Sequence, residues 1–251
     1  MFDKNFISIR FQKKMYDYDR ESFVQKKIAS QLIQISKNYI SKKQLQILEI
    51  GCGTGNLTKL LVETFQPQNI VCNDISSGFQ EHIHNIMNSL SFTNYSFIQG
   101  DGEELSITQT FDIITSASTF QWFANLPVFL KTISRFINPQ GYLLFSTFGN
   151  KNLLEIKDLT SIGLIYYSKE ELIDLLSEFF IVEHFSEELI QIPFSSPLSV
   201  LKHIRNTGVN AVKKVFWTKK TLLEFEEQYK KRFGDTKKMK ALYNFLESFT
   251  L

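Results

Sequence analysis

The sequence predicts an α/β fold: Rossmann-like, with a mostly parallel sheet, helices on both faces and a helical lid. Three observations lead there. Short apolar runs alternate with stretches of helical periodicity from about residue 20 to residue 150, the pattern of a parallel sheet joined by crossover helices. A glycine cluster, Gly51, Gly53 and Gly55, follows the first apolar run directly. Acidic residues, Asp74 and Asp101, then stand at the ends of the next two runs.

The elements follow in order. Phe23, Ile28, Leu32 and Ile35 fall at helical spacing and make 20–40 a leading helix. Residues 46–50 are a short apolar strand before the glycines. Residues 56–65 are helical and stop at Pro67, 69–73 form a second strand, and 77–90 a second crossover helix. Residues 95–99 and 111–115 supply strands three and four. The helix over 126–136 ends before Pro139 and Gly141, a turn signal, and 142–148 is a fifth strand. Ser168 with Glu171 three residues later is a capping box opening a helix that runs to about Phe179. A long sixth strand covers 180–192. Basic helical segments follow near 198–206 and 219–233.

Charge divides the chain further. Residues 1–43 carry ten Lys/Arg against four Asp/Glu, residues 44–199 six against seventeen, and residues 200–240 twelve against four. Two basic segments flank an acidic centre. The chain therefore divides into an N-terminal lid helix region (1–43), a ligand-binding α/β core (44–192) and a basic helical insertion with a C-terminal segment of the same domain (193–251). No nucleic-acid motif accompanies the basic segments. No run approaches the ~18 apolar residues of a membrane span, and Asp3, Lys4, Arg10, Lys13 and Lys14 break any leader-like apolar stretch. Cys52 and Cys72 are the only cysteines; they form no disulfide framework and show no metal-ligand spacing. A cytoplasmic enzyme without a metal is expected.

The chemistry concentrates at Glu49-Ile50-Gly51-Cys52-Gly53-Thr54-Gly55. Glycine lets the backbone turn sharply and come close to a ligand, and the following helix offers free N–H groups. A dinucleotide fingerprint would need glycine where Asn56 stands. The G-x-G-x-G spacing with Glu49 in front resembles motif I of class I methyltransferases that use S-adenosylmethionine. Asp74, twenty-three residues after Gly51, can accept from both ribose hydroxyls. By the same resemblance Asp101, beside Gly102, accepts from the adenine amino group, and Ser116 lies next to the cofactor pocket.

Three further places narrow the resemblance: Tyr18-Asp19 with Gln25; Ser118-Thr119-Phe120-Gln121-Trp122; and the run from Leu201 to Ala211, which contains His203 and Arg205. Over residues 10–212 these resemble the malonyl-[acyl-carrier protein] O-methyltransferases of biotin synthesis. The resemblance implies methylation of the free carboxylate of a malonyl thioester, an ester that primes pimeloyl synthesis. It implies that Arg205 binds that carboxylate, with Tyr18, Trp122 and Gln121 around it, and that an acidic carrier protein docks on the basic lid. Family members often carry a histidine shortly after the Gln-Trp pair; Asn125 stands in that neighbourhood, so no side chain is assigned as a base. The family also ends in a seventh strand that 235–251 do not show clearly, and an altered or truncated C-terminus is expected. Two other readings stay open: another small-molecule methyltransferase, of the trans-aconitate or quinone-precursor kind, and a non-catalytic S-adenosylmethionine-binding protein.

Overall fold

The computed structural model describes residues 4, 7–9, 12, 22–161, 163–206, 217–233 and 239–250. Its centre is a seven-stranded sheet in the order β3-β2-β1-β4-β5-β7-β6. Strands β1 (Gln46–Ile50), β2 (Asn69–Asp74), β3 (Tyr95–Gln99), β4 (Phe111–Ala117) and β5 (Ile137–Phe148) pair in parallel. β7 (Met239–Thr250) runs antiparallel between β5 and β6 (Val182–Phe194). This is the class I Rossmann-like arrangement.

Alternation along the strands decides which side chain goes to which face. Ile47 packs with Leu57, Leu61 and Val62 of α2 (Asn56–Phe65), Ile83 and Met87 of α3 (Phe79–Ser89) and Leu32 of α1 (Phe23–Ser36). Its neighbour Leu48 turns to the opposite face, against Phe129 and Leu130 of α4 (Leu126–Ile133) and Leu172 and Leu176 of α6 (Lys169–Ser177). A one-residue slip in β1 would exchange the two sets, so burial fixes the register. Each fully buried Ile or Leu contributes roughly 1.5–3 kcal/mol before ordering costs. The capping box of α6 is formed as its sequence suggests: Ser168 Oγ accepts from Glu171 N at 3.2 Å and Glu171 Oε2 from Ser168 N at 2.7 Å.

A third cluster lies beyond the carboxyl end of β5. Val24 and Ile28 of α1, Phe148, Ile156 of α5 (Leu154–Thr160), Val200 and Ile204 of α7 (Pro197–Asn206) and Phe225 and Tyr229 of α8 (Lys219–Phe233) are buried together. The basic helices α7 and α8 are thereby seated on α1 and on the end of β5.

Two expectations need correction. The turn at Pro139–Gly141 is not a turn. β5 starts at Ile137 and runs through it, with a register shift between Phe111 and Ile113 on β4 and Gln140 at φ +64°. A Cβ on Gly141 would meet the carbonyl oxygens of Asn138 and Asp112 at 2.8 Å, so the bulge packs too closely for a side chain. The seventh strand, not clear in 235–251 from the sequence, is formed: residues 239–250 make β7 and pair antiparallel with β6, with a register shift between Val182 and His184. Its strand state comes from pairing on both sides, which no local pattern announces.

At the amino ends of the strands, Asp112 is a staple. Its carboxylate accepts from Lys42 Nζ at 2.5 Å, Gln46 N at 2.9 Å and Asn138 Nδ2 at 2.9 Å, joining the segment before β1 to β4 and β5.

Candidate functional site

The strand order reverses at β1, which has β2 on one side and β4 on the other. Such a switch point opens a crevice at the carboxyl ends of the strands, where ligands bind in open α/β sheets. An open cleft lies there, walled by Ile50, Gly51 and Gly53 at the end of β1, Asn73, Asp74, Ile75 and Phe79 at the end of β2, Asp101 and Gly102 beyond β3, and Ala117 to Thr119 with Gln121 to Phe123 at the end of β4. Lys4, Ile7, Gln25 and Phe148 complete the lining.

The three loop glycines are all left-handed, with φ of +71°, +51° and +82° at Gly51, Gly53 and Gly55, a region that costs other residues energy. Their surroundings differ. A Cβ on Gly51 would lie 2.2 Å from Thr119 Oγ1, and one on Gly55 2.4 Å from Ile86 Cδ1, whereas one on Gly53 meets nothing within 4 Å. Gly51 and Gly55 are packing glycines. Gly53 lines the cleft with open space before it, where a ligand can come against the backbone.

Asp74 ends β2 with 7% of its surface exposed. Its Oδ2 accepts from Gly53 N and its Oδ1 from Ser76 N, both at 2.9 Å. Each carboxylate oxygen keeps acceptor capacity for a ligand. Burial pushes its pKa up to about 6 against the lowering effect of the backbone donors. Glu49 lies behind the loop, 1% exposed, and accepts from Thr58 Oγ1 at 2.6 Å. Burial, aided by the charge of Asp74 and opposed by Thr58, raises its pKa to about 8, so Glu49 is mainly protonated at neutral pH. It supports the loop from below and is not on the cleft lining.

Asp101 caps the short turn Gly102–Glu104, its Oδ1 accepting from Glu103 N at 3.0 Å. Its Oδ2 takes the ammonium of Lys4 at 2.5 Å, and Lys4 also pairs with Glu103. Burial works against that ammonium, but the hydrogen bonds and charges of Asp101 and Glu103 outweigh it and hold its pKa above the ordinary lysine value. Glu103 accepts in turn from Ala124 N at 2.9 Å and from Asn125 N, which fixes the segment after β4.

That segment carries Gln121 and Trp122 on the cleft. Ser118 stands at φ +59°, its N–H donating to Ser146 O at 2.9 Å and its carbonyl accepting from Gln121 Nε2 at 2.6 Å. Gln121 Oε1 accepts from Thr147 Oγ1 at 3.2 Å, so the amide is anchored at both ends. Phe120 is buried against Phe123, Phe129 and Phe145 and holds the short turn Phe120–Trp122 in place. Asn125 caps α4 by accepting from Val128 N at 3.2 Å.

Of the residues singled out in the sequence, the structure brings Gly51, Gly53, Asp74, Asp101, Gly102, Gln121 and Trp122 to one cleft, with Gln25 beside them. Ser116 is not on it. Fully buried, it donates from Oγ to Ile50 O at 2.8 Å and fastens β4 to β1; Ala117, Ser118 and Thr119 take the place expected of it. Arg205 is exposed in the last turn of α7 and outside the lining, and His203 packs on Phe194 with ring centroids 5.2 Å apart. Tyr18, Asp19 and the stretch 207–211 lie outside the described residues. Lys4 escaped the sequence reading: its partners are 97 and 99 residues away, and a lysine near the N-terminus carries no local signal. Cys52 and Cys72 are both buried and free. Among the described residues no group of three His, Cys, Asp or Glu could hold a metal ion, and no helix is long and apolar enough to cross a membrane.

Comparison with known proteins agrees with this geometry. A family model described as a methyltransferase domain matches residues 41–189. The chain is 34% identical to a malonyl-[acyl-carrier protein] O-methyltransferase of Bacteroides thetaiotaomicron over 96% of its own length and 95% of the relative's. It is 35% identical to the protein of the same name from Bacteroides fragilis over 93% of its own length, but spans only 47% of that relative. Among solved structures, a putative methyltransferase from Bacillus halodurans superposes with a TM-score of 0.67, covering 88% of this chain and 98% of the other at 16% identity.

Proposed function

This chain belongs to the malonyl-[acyl-carrier protein] O-methyltransferase family, and from that premise we propose that it transfers a methyl group from S-adenosylmethionine to the free carboxylate of a malonyl thioester. The observation that carries the reading is the end-to-end match to the Bacteroides thetaiotaomicron relative, together with a cleft whose wall suits this cofactor.

The fit rests on Gly53 and Asp74. The open space before Gly53 admits the amino-acid end of the cofactor against the backbone. Asp74 takes the ribose hydroxyls, Ile75 and Phe79 offer apolar surface to the adenine, and Asp101 accepts from its amino group. When bound, the cofactor supplies an activated methyl group on a sulfonium.

The chain's own residues then have a limited task. The nucleophile is a carboxylate, which titrates near ~4 and is ionised at neutral pH without a base. What remains is alignment and exclusion of water, and alignment alone can lower a barrier by ~7–11 kcal/mol. Gln121, held at both ends, and Trp122 position the substrate. Arg205 receives the malonyl carboxylate through the paired donors of its guanidinium, which requires α7 to bring it towards the cleft as the substrate enters. Methylation removes the substrate's charge, which weakens the hold of Arg205 on the product and favours release.

The carrier protein is small and acidic, and it docks on the exposed cations of α7 and α8, including Lys202, Lys219 and Lys220. Such charges steer encounter more than they add affinity.

The test is an assay with labelled S-adenosylmethionine and malonyl, succinyl and acetyl thioesters, read by mass spectrometry as methyl ester. Malonyl thioester is methylated and acetyl thioester, which lacks the carboxylate, is not. Arg205→Ala lowers malonyl turnover by roughly a hundredfold while cofactor binding survives. Transfer to an unrelated acid with malonyl untouched overturns the assignment. Salt lowers kcat/KM for the carrier-protein thioester and spares a pantetheine thioester; equal loss on both defeats the docking reading.

A further inference from the structure

The cleft has a cation other than the one the sequence pointed to. Lys4 is the one Lys or Arg among its described lining residues. Its ammonium joins Asp101 and Glu103 and lies 5.8 Å from the centroid of the Phe123 ring. Three parts of the chain meet there. Lys4 brings the N-terminal segment, Asp101 and Glu103 bring the turn after β3, and Phe123 with Ala124 and Asn125 brings the segment that carries Gln121 and Trp122.

Two more described residues touch the cleft or its edge. Ile7 is 4% exposed and lines the cleft. Gln12 reaches Gly78, the residue before α3, where a Cβ on the glycine would lie 3.1 Å from the Gln12 side chain. Lys4 thus contacts the turn after β3, and Gln12 the loop after β2. They lie along the same edge of the cleft that holds Asp74, Ile75, Phe79 and Asp101.

We propose that Lys4 is a positioning residue for the cofactor: its paired contacts with Asp101 and Glu103 brace the adenosine half of the cleft and govern how fast the cofactor product leaves. The inference rests on the cofactor reading above and adds a cause for retention that the motif residues do not supply. Asp101 can serve an adenine amino group and Lys4 together, because a carboxylate has about four acceptor positions and Glu103 N and Lys4 use one on each oxygen. The ammonium is partly buried, with 25% of its side chain exposed, so water and salt weaken its pairs less than they weaken a surface pair. Release of the ligand requires these contacts to open, whereas methyl transfer does not involve them.

The experiment uses the full chain and S-adenosylhomocysteine as the probe. Its affinity for the unmodified protein is measured first by calorimetry, and its release rate by stopped-flow displacement. Absence of binding there defeats the cofactor reading, which separates that failure from this one. With binding present, Lys4→Met releases the probe about tenfold faster, the factor that ~1.4 kcal/mol of lost closure gives. It also raises KM for S-adenosylmethionine by a larger factor than it changes kcat. Lys4→Arg, which keeps the charge and reach, restores most of the retention. Where Lys4→Met does not fold, Glu103→Gln is measured in its place; it leaves the Lys4–Asp101 pair and accelerates release by a smaller factor. An unchanged release rate in a folded Lys4→Met protein overturns the proposal, as does a loss of kcat with release unaltered.

Discussion

Two carboxylates of one sheet, Asp112 at the amino edge and Asp74 at the carboxyl edge, are both nearly buried, at 5% and 7% exposure, yet their acidities move apart. Burial opposes the charge at both. At Asp112 it is outweighed by Lys42, Gln46 N and Asn138, and the pKa falls below the ordinary value. At Asp74 only backbone N–H groups answer, and the pKa rises to about 6. A satisfied carboxylate holds strands together. A carboxylate that is buried, charged and short of donors is set to receive them from something else. The amino edge is built for stability and the carboxyl edge for a ligand.

That contrast can be broken in three ways. The largest effect is expected from crowding each edge at a glycine. Gly51→Ala combines a left-handed φ with a contact of 2.2 Å to Thr119, and Gly141→Ala meets backbone oxygens at 2.8 Å. Each should cost about 3 kcal/mol of stability in urea unfolding. Thr119→Gly should recover part of the loss for Gly51→Ala, because the obstacle there is a side chain. No second substitution relieves Gly141→Ala. Recovery at neither site means that φ strain, not contact, dominates at the carboxyl edge.

Removing the charges themselves comes next. Asp74→Asn should weaken S-adenosylhomocysteine binding by ~1.5–3 kcal/mol, measured by calorimetry. Asp112→Asn should leave that affinity within about twofold and lower stability by roughly 1–2 kcal/mol; the Lys42 pair adds little to this because the lysine is 60% exposed. Equal loss of affinity in both variants would erase the division between the edges.

A third effect is a slope. Glu49 at about 8 and Asp74 at about 6 both lie above their unfolded values near ~4. Between those limits the folded chain holds protons that the unfolded chain has lost. Their contribution to stability is full below about pH 4 and is lost as pH rises through 6 and then 8. Thermal melts of the ligand-free protein should therefore decline from pH 5 to 8, and Glu49→Gln should flatten the upper half. A melt independent of pH in that range removes the buried protons from the account.

The edges also differ in how far the sequence exposed them. The loop from Glu49 to Gly55 was legible because its demands are local: left-handed residues need glycine wherever they stand. Asp74 and Asp101 followed from strand ends. Ser116 was misplaced by one residue, because alternation in β4 turns its side chain to Ile50 O and leaves Ala117 at the cleft. Lys4 and β7 could not be read at all. Lys4 is defined by partners about a hundred residues away and β7 by β5 at a similar separation and β6 at 45 to 68 residues, and β7 includes Ala241, Asn244 and Glu247, types that strands do not favour. Its conformation belongs to β5 and β6 as much as to itself.

The position of β7 bears on how the polypeptide acquires its structure during synthesis. It is the last of the seven strands in sequence, yet it lies inside the sheet, with β5 on one side and β6 on the other. As the ribosome delivers the chain from the N-terminus, β1 to β5 can associate before β7 exists. Until then the free flank of β5 presents unpaired peptide groups and apolar side chains, a template for wrong partners. β6 has no neighbour to join. Closure must wait for a distant segment to enter the gap, a step of high contact order and hence slow. A nascent chain stalled before residue 239 would carry an assembled glycine loop on an incomplete sheet and depend on chaperones for its solubility.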